Sequence, residues 1–379
     1  MSSSPVRAIF FLFFFTFLLP CYAEGFDDLL DESGLAGSFS PTLRIGIMAD
    51  VASAALSGDA EVLDQNGREI GQIQGTYELS VKNGEIVISG TKFGGGPIRL
   101  HSSLLPLKIG STMLRGDVEV FLQNGKLTVV NELGIEDYVR GVINKEAIPS
   151  WPLEAKKTQA VLARTFAVYQ KMFNPRSKLY DLAPSVLDQV YGGLGKEDLS
   201  SNKAVSETKG EIITIGSDPA KIYFHSTCGG TISSSAEVWG KDEPHLKEKS
   251  CPYCKKSSLY RWTRKLNAAD VAKKLGPAGI SGGIKSINVE RGRTRIKNVV
   301  VNGKKIPVNK FRELVGFSVV WSNDFTVQKN GNALIFQGKG AGHGVGVCQW
   351  GMAGMAAQGK NHQEILKFYL SGIEIRKMY

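Results

Sequence analysis

Residues 135–172 read IEDYVRGVINKEAIPSWPLEAKKTQAVLARTFAVYQKM, and this stretch decides the fold class. Ile135, Val139, Val142 and Glu146 recur at spacings of four, three and four, which places them on one helical face that is apolar until it ends in a carboxylate. Residues before proline avoid the α region, so Pro149 stops this helix near Ala147, and Pro152 opens a second helix over residues 153–172. Upstream the pattern differs. Short β-rich runs such as LRIGI (residues 43–47) and EIVIS (residues 85–89) alternate with turns, and Asn66-Gly67, Asn83-Gly84 and Asn124-Gly125 are hairpin signals. Strands gathered first and helices later give an α+β class. The expected division is a small N-terminal β module over residues 24–105, then a mixed α+β region over residues 106–379.

The 379 residues, 42% hydrophobic and 22% charged, can bury enough apolar surface to exclude a disordered chain. Residues 8–19 are almost all Phe, Leu, Ile and Ala, follow Arg7, and precede the small-residue exit Cys21-Tyr22-Ala23. This reads as a signal peptide over residues 1–23, too short at about 12 apolar residues to span a bilayer. The alternative, a lipoprotein acylated at Cys21, is disfavoured by Pro20 where a small residue is wanted. No other segment is a transmembrane candidate. The chain is therefore expected to be exported, periplasmic or wall-associated. Cleavage removes one arginine and no acid, taking the net charge from +10 to +9. In that compartment an anionic envelope polymer is a better partner than nucleic acid. Within residues 255–310 only Asp270 and Glu290 oppose the basic residues, so this stretch is either a solvated face or a polymer-attracting one.

Glu146 is the candidate acid catalyst. An apolar helix face, the negative end of a helix dipole and nearby Trp151 all disfavour its ionised form, and a carboxylic acid kept protonated near neutral pH can donate to a leaving-group oxygen. The bland alternative is a solvated glutamate paired with Lys145. Arg164, surrounded by apolar residues, must be paired: it either holds a structural acid or lines a polar site with Glu146. Cys228, Cys251, Cys254 and Cys348 remain after cleavage, enough for two disulfides. However, Cys251-Pro252-Tyr253-Cys254 also has zinc-ligand spacing, with His225 and Cys228 as further ligands; such a zinc would be structural, and no other cofactor is required. Residues 338–346 alternate glycine with Lys339, Ala341, His343 and Val345 but match no phosphate-binding motif. These glycines permit close approach to a ligand or a neighbouring element, with His343 expected exposed at the lip.

Taken together, Glu136-Asp137-Tyr138-Val139, Lys145-Glu146-Ala147-Ile148-Pro149, Gln159-Ala160-Val161-Leu162-Ala163-Arg164-Thr165, Gln189-Val190-Tyr191-Gly192-Gly193, Phe224-His225-Ser226-Thr227-Cys228-Gly229-Gly230, Glu237-Val238-Trp239-Gly240 and Gly342-His343-Gly344-Val345-Gly346 resemble the stage II sporulation protein D family of peptidoglycan lytic transglycosylases, which includes amidase enhancers. The resemblance runs from about Arg115 to Ile375 and implies that the mixed α+β region over residues 106–379 is a catalytic region with a cleft. It implies Glu146 as catalytic acid, and Gln159, Arg164, Gln189, Tyr191, His225, Ser226, His343 and Gln349 as residues lining a site for peptidoglycan glycan strands. It also implies zinc held by His225, Cys228, Cys251 and Cys254, and a cell-wall amidase as a possible partner. One departure is the pair Ala147-Ile148, where the family has a single methionine before the proline. Two other readings stay open: a non-catalytic wall-binding amidase enhancer, and a two-carboxylate muramidase using Asp188 or Glu237.

Overall fold

The computed structural model describes residues 41–103, 105–183 and 188–379; the predicted signal peptide lies outside them. The α+β class is observed, and among the described residues no helix is long and apolar enough to cross a membrane.

Residues 41–134 form two antiparallel sheets. Strands Thr42–Val51, Lys126–Gly134, Asp117–Gln123, Ile98–His101, Ala60–Leu63 and Glu69–Ile73 lie in that order in one. Thr112–Leu114, Leu107–Ile109, Ser53–Ser57, Thr76–Lys82, Glu85–Ile88 and Thr91–Lys92 form the other. Two of the three predicted Asn-Gly signals are tight hairpins: Asn83-Gly84 joins Lys82 to Glu85, and Asn124-Gly125 joins Gln123 to Lys126, while Asn66-Gly67 lies in the longer connection between Ala60–Leu63 and Glu69–Ile73. Both residues of each tight hairpin turn have positive φ, the type I′ requirement that selects Asn-Gly. Residue 105 is not a break in this architecture. Leu56 pairs with Ile109, and Val118 with Leu100, so the sheets close only with strands that follow residue 105.

Helix α1 (Ile135–Glu146) leaves the last strand of the first sheet directly, and helix α2 (Leu153–Phe173) follows after the proline-bounded turn. α2 is the spine of the molecule. Ala160, Ala163, Ala167 and Val168 join the β sheets and α1 in one core, while Ala155, Val161 and Leu162 join a second. Burial on nearly all sides explains why α2 is apolar around most of its circumference.

Helices α3 (Leu199–Glu207) and α4 (Ser235–Trp239) come next in the chain. A third core then fills residues 262–336, with helices α5 (Ala268–Lys274) and α6 (Val308–Val315) against two three-stranded sheets. This unit contains most of the basic stretch. The glycine-rich loop returns the chain to the second core, which it completes with α7 (Gln349–Ala356) and α8 (His362–Tyr369).

Candidate functional site: a buried carboxylic acid at a helix end

Glu146 is the last residue of α1 and is half-buried. The Val190 N–H donates to its Oε1 at 3.0 Å. The Gln349 side-chain amide donates to its backbone carbonyl at 2.9 Å, satisfying one of the acceptors that a helix end leaves open. The same amide lies 3.3 Å from Gln159 Oε1, so α1, α2 and α7 converge on the carboxylate. Burial pushes the Glu146 carboxyl above its ordinary range, and the Val190 and Gln349 donors pull the other way without cancelling it. Lys145 is exposed, and no ion pair to Glu146 is seen among the described residues. The Ala147-Ile148 departure leaves the helix end intact: Ala147 N–H donates to the Ile143 carbonyl at 2.7 Å, and the chain then turns through a Trp151 N–H to Ile148 carbonyl bond at 3.0 Å. Trp151 meets Trp350 edge-on at 5.5 Å beside this turn.

The donor at Val190 is itself anchored. Its neighbour Gln189 accepts from the Tyr138 hydroxyl at 3.0 Å, the Tyr138 ring stacks on Tyr191 at 5.5 Å, and the Tyr191 hydroxyl donates to Asn131 at 3.2 Å. Burial drives the Tyr138 hydroxyl well above its usual pKa, so it remains a donor.

This arrangement buries much of the expected substrate-binding set. Gln159 and Gln189 are fully buried, and Tyr191 and Gln349 are each 7% exposed. They have almost no surface for a ligand and instead fix the backbone around Glu146. Arg164 takes the structural role. It is fully buried and forks onto Glu136 at 2.8 and 2.7 Å, with a third bond to the Glu211 carbonyl at 2.9 Å. Burial would raise the Glu136 carboxyl, but the Arg164 guanidinium, the Tyr379 hydroxyl and the Gly210 N–H hold it below its ordinary value. His225 is also buried; Nδ1–H donates to the Val345 carbonyl at 2.9 Å. Ser226 and His343 keep partial exposure. His343 is half-buried rather than lip-exposed, because its Nε2–H donates to the Phe224 carbonyl at 2.9 Å and its Nδ1 accepts from the Val345 N–H at 3.2 Å. Burial lowers its pKa to about 4.

The two other motif carboxylates are committed elsewhere. Asp188 lies against the Arg176 guanidinium and accepts from Gln170 at 3.2 Å and the Ala183 N–H at 2.9 Å. Glu237 accepts from the Thr294 N–H and hydroxyl and from the Arg295 N–H, at 2.6, 2.5 and 3.1 Å. Burial alone would raise its carboxyl, yet these donors hold it below the ordinary value.

The alternating glycines serve a neighbouring element. A Cβ at Gly340 would lie 2.4 Å from the Thr227 carbonyl oxygen and one at Gly346 would lie 2.1 Å from that of Tyr223, and both have φ above +70°. The loop is thus pressed backbone to backbone onto residues 223–228.

The thiols assemble differently from the expected ligand set. Cys228, Cys251, Cys254 and Cys348 are all buried, and their sulfurs lie within 4.8 Å of one another. Cys348 takes the fourth place, and His225 is outside the group. Cys348 lies far from the C-x₂-C pair in sequence, so the even cysteine count is the only signal that could have found it.

The fold and site define an α+β protein organised around one burial-shifted carboxylate. The sequence model of the stage II sporulation protein (SpoIID) family matches residues 123–215. The chain is 38% identical over 255 residues to an uncharacterised protein of Brachyspira hyodysenteriae, covering 66% of this chain and 69% of that one. It is 31% identical over 261 residues to stage II sporulation protein D of Bacillus subtilis, covering 65% of this chain and 75% of that one. It is 27% identical over 357 residues to the amidase enhancer of Bacillus subtilis, covering 79% of this chain but 49% of the enhancer. The chain belongs to the stage II sporulation protein D family.

Proposed function

We propose that this protein is an exported peptidoglycan lytic transglycosylase, cleaving the β-1,4 bond between N-acetylmuramic acid and N-acetylglucosamine with formation of 1,6-anhydro-N-acetylmuramic acid. The observation that carries the proposal is the isolation of Glu146: its carboxyl is raised by burial, while Asp188 and Glu237 are held by other donors. One acid suffices for this reaction. Protonated Glu146 donates to the glycosidic oxygen, which leaves as the N-acetylglucosamine 4-hydroxyl. The resulting carboxylate, supported by the Val190 N–H, takes the proton of the muramoyl 6-hydroxyl as that oxygen attacks the anomeric carbon. Glu146 ends reprotonated, and no water is consumed. An ordinary two-carboxylate hydrolase would need a second free carboxylate, and Asp188 and Glu237 are held by other donors.

Similarity to an amidase enhancer over 79% of the chain supports a second reading, a non-catalytic wall-binding protein that stimulates an amidase. Mass spectrometry of products from purified glycan strands separates the two. The native chain is expected to release anhydro-muropeptides, and Glu146→Gln to lower that rate by about 10²-fold or more. If the native chain releases none and Glu146→Gln stimulates an amidase as well as the native chain does, the enhancer reading replaces the first.

The four thiols fit a structural zinc ion, and we assign them that role. Tetrahedral Zn–S bonds of about 2.3 Å place sulfurs about 3.8 Å apart, compatible with a cluster confined to 4.8 Å. The Cys228 N–H donates to Cys348 Sγ at 3.2 Å, and the Tyr369 hydroxyl lies 3.2 Å from Cys251 Sγ, donors suited to metal-bound thiolates. Bound there, the ion would cross-link the second core and take no part in glycan chemistry.

A further inference from the structure

Trp239 has no role in the mechanism above, yet its side of the molecule is built with care. It is the last residue of α4 and is 39% exposed. Its ring lies 4.5 Å from Tyr223 and 5.1 Å from His343, and the His343 ring lies 5.5 Å from His225. An indole left this exposed forfeits apolar burial unless something else covers it.

The ring is also held still. Ser234 caps α4 by accepting from the Glu237 N–H, and Gly240 ends it in the left-handed conformation. Glu237, two residues before the indole, takes its donors from the turn at Thr294 and Arg295. Arg295 is itself buried and bonded to Ser233 Oγ at 2.9 Å and the Cys228 carbonyl at 3.1 Å. The carboxylate that sequence motifs offered as a second catalytic group is thus a brace beneath Trp239.

The position relative to Glu146 follows from shared backbone. His343 is bonded to the Phe224 carbonyl; two residues on, the Ser226 carbonyl accepts from the Trp350 N–H at 3.0 Å. Trp350 is adjacent to Gln349, which holds the Glu146 carbonyl. Two residues of extended chain span about 7 Å, so the aromatic cluster and the acid are served by neighbouring points of one segment.

We infer that Trp239, braced by Tyr223 and His343, is a saccharide-stacking subsite: the indole covers the apolar face of an N-acetylated pyranose of the glycan strand, along the chain from the bond that Glu146 protonates. A pyranose presents C–H groups on its face and hydroxyl or acetamido donors at its rim. The C–H face matches the exposed π face of Trp239. The inference rests on the reading of a glycan strand as substrate.

Full-length Glu146→Gln, slowed by about 10²-fold or more, tests it by equilibrium binding to purified, peptide-free glycan strands. Adding Trp239→Ala is expected to weaken binding by about tenfold, and Trp239→Phe by less. In the active chain, Trp239→Ala should raise KM for strands far more than it lowers kcat. Unchanged thermal melting separates lost contact from misfolding. Binding and KM within twofold of the parent in Trp239→Ala, or no strand binding by the parent, overturns the subsite. Weakened binding in a native chain that makes no anhydro product keeps the subsite and removes only the transglycosylase reading.

Discussion

At the scale of single residues, burial sets the state of Glu146: its carboxyl is raised although the Val190 and Gln349 donors reach this residue. Glu146 was legible because its helical face and the following prolines place it at an apolar helix end, and its carboxyl is raised by burial. Arg164 was legible as a group requiring a partner, but the partner Glu136 is 28 positions away and only the packing of α1 on α2 brings them together. Gln159 and Gln189 were expected as ligand contacts from the family resemblance, and sequence alone does not say that these amides are sealed inside. The raised carboxyl of Glu146 has a consequence for stability. The folded chain binds this proton more tightly than the unfolded chain, so the associated stabilisation is fully present below the ordinary glutamate value of 4.5 and is lost as pH rises through the folded value. Above 4.5 the carboxyl therefore costs stability that an uncharged side chain would not. Glu146→Gln keeps an acceptor for the Val190 N–H and carries no charge. It should melt at or above the native temperature at pH 7, with the two curves converging as pH falls toward 4.5. Thermal denaturation across that range checks the sign, and a native chain more stable than the variant at pH 7 would contradict it.

At the scale of elements, boundaries set by local chemistry were readable and pairings between distant strands were not. The prolines fix the ends of α1 and α2, and Asn-Gly turns fix the hairpins, because each depends on a few adjacent φ values. The β unit runs past residue 105 because Asp117–Gln123 adds to Ile98–His101, a long-range pairing that no local signal announces. The glycine-rich loop shows the same division. Its composition announced close approach, and the structure identifies the approached element as residues 223–228. Gly346→Ala should be costly for two reasons: its φ is +71°, and the added Cβ would lie 2.1 Å from the Tyr223 carbonyl oxygen. Gly359 provides the comparison, since its φ is +83° but an added Cβ would meet nothing within 4 Å. Gly359→Ala is expected to cost about 1 kcal/mol from backbone strain alone, and Gly346→Ala about 2 kcal/mol or more. Denaturant titration measures both. Equal losses would mean that the loop yields and that the close approach is not what holds residues 223–228 in place.

At the scale of the whole molecule, the thiol cluster fastens residues 228–254 to residue 348 inside the second core, while the bonds from Gln349 to Glu146 and from Tyr379 to Glu136 tie more distant parts of the sequence. Cys228 follows the segment that carries His225 and Ser226, Cys251 and Cys254 flank a single turn, and Cys348 immediately precedes α7 and Gln349. Arg295 also reaches the Cys228 carbonyl, so the third core is fastened close to the same point. The β sheets, by contrast, have their own core, shared with α1 and one face of α2. Loss of a zinc ion should therefore loosen the second core first and leave the sheets folded. Full-length protein purified under reducing conditions is expected to carry one zinc per chain, and Cys348→Ser to lose it and melt about 10 °C or more below the native chain. Hydrogen exchange after chelation should rise in residues 220–254 and 345–373 while the strands of residues 42–134 stay protected. The competing arrangement, two disulfides, predicts no bound metal and an intact mass lower by four hydrogen atoms in protein isolated without reductant. That result would remove the ion and leave the packing of the second core to covalent bonds. Because Gln349 follows Cys348 directly, release of this cluster should also free the Glu146 carbonyl from its α7 partner, so activity on glycan strands and zinc content should fall together.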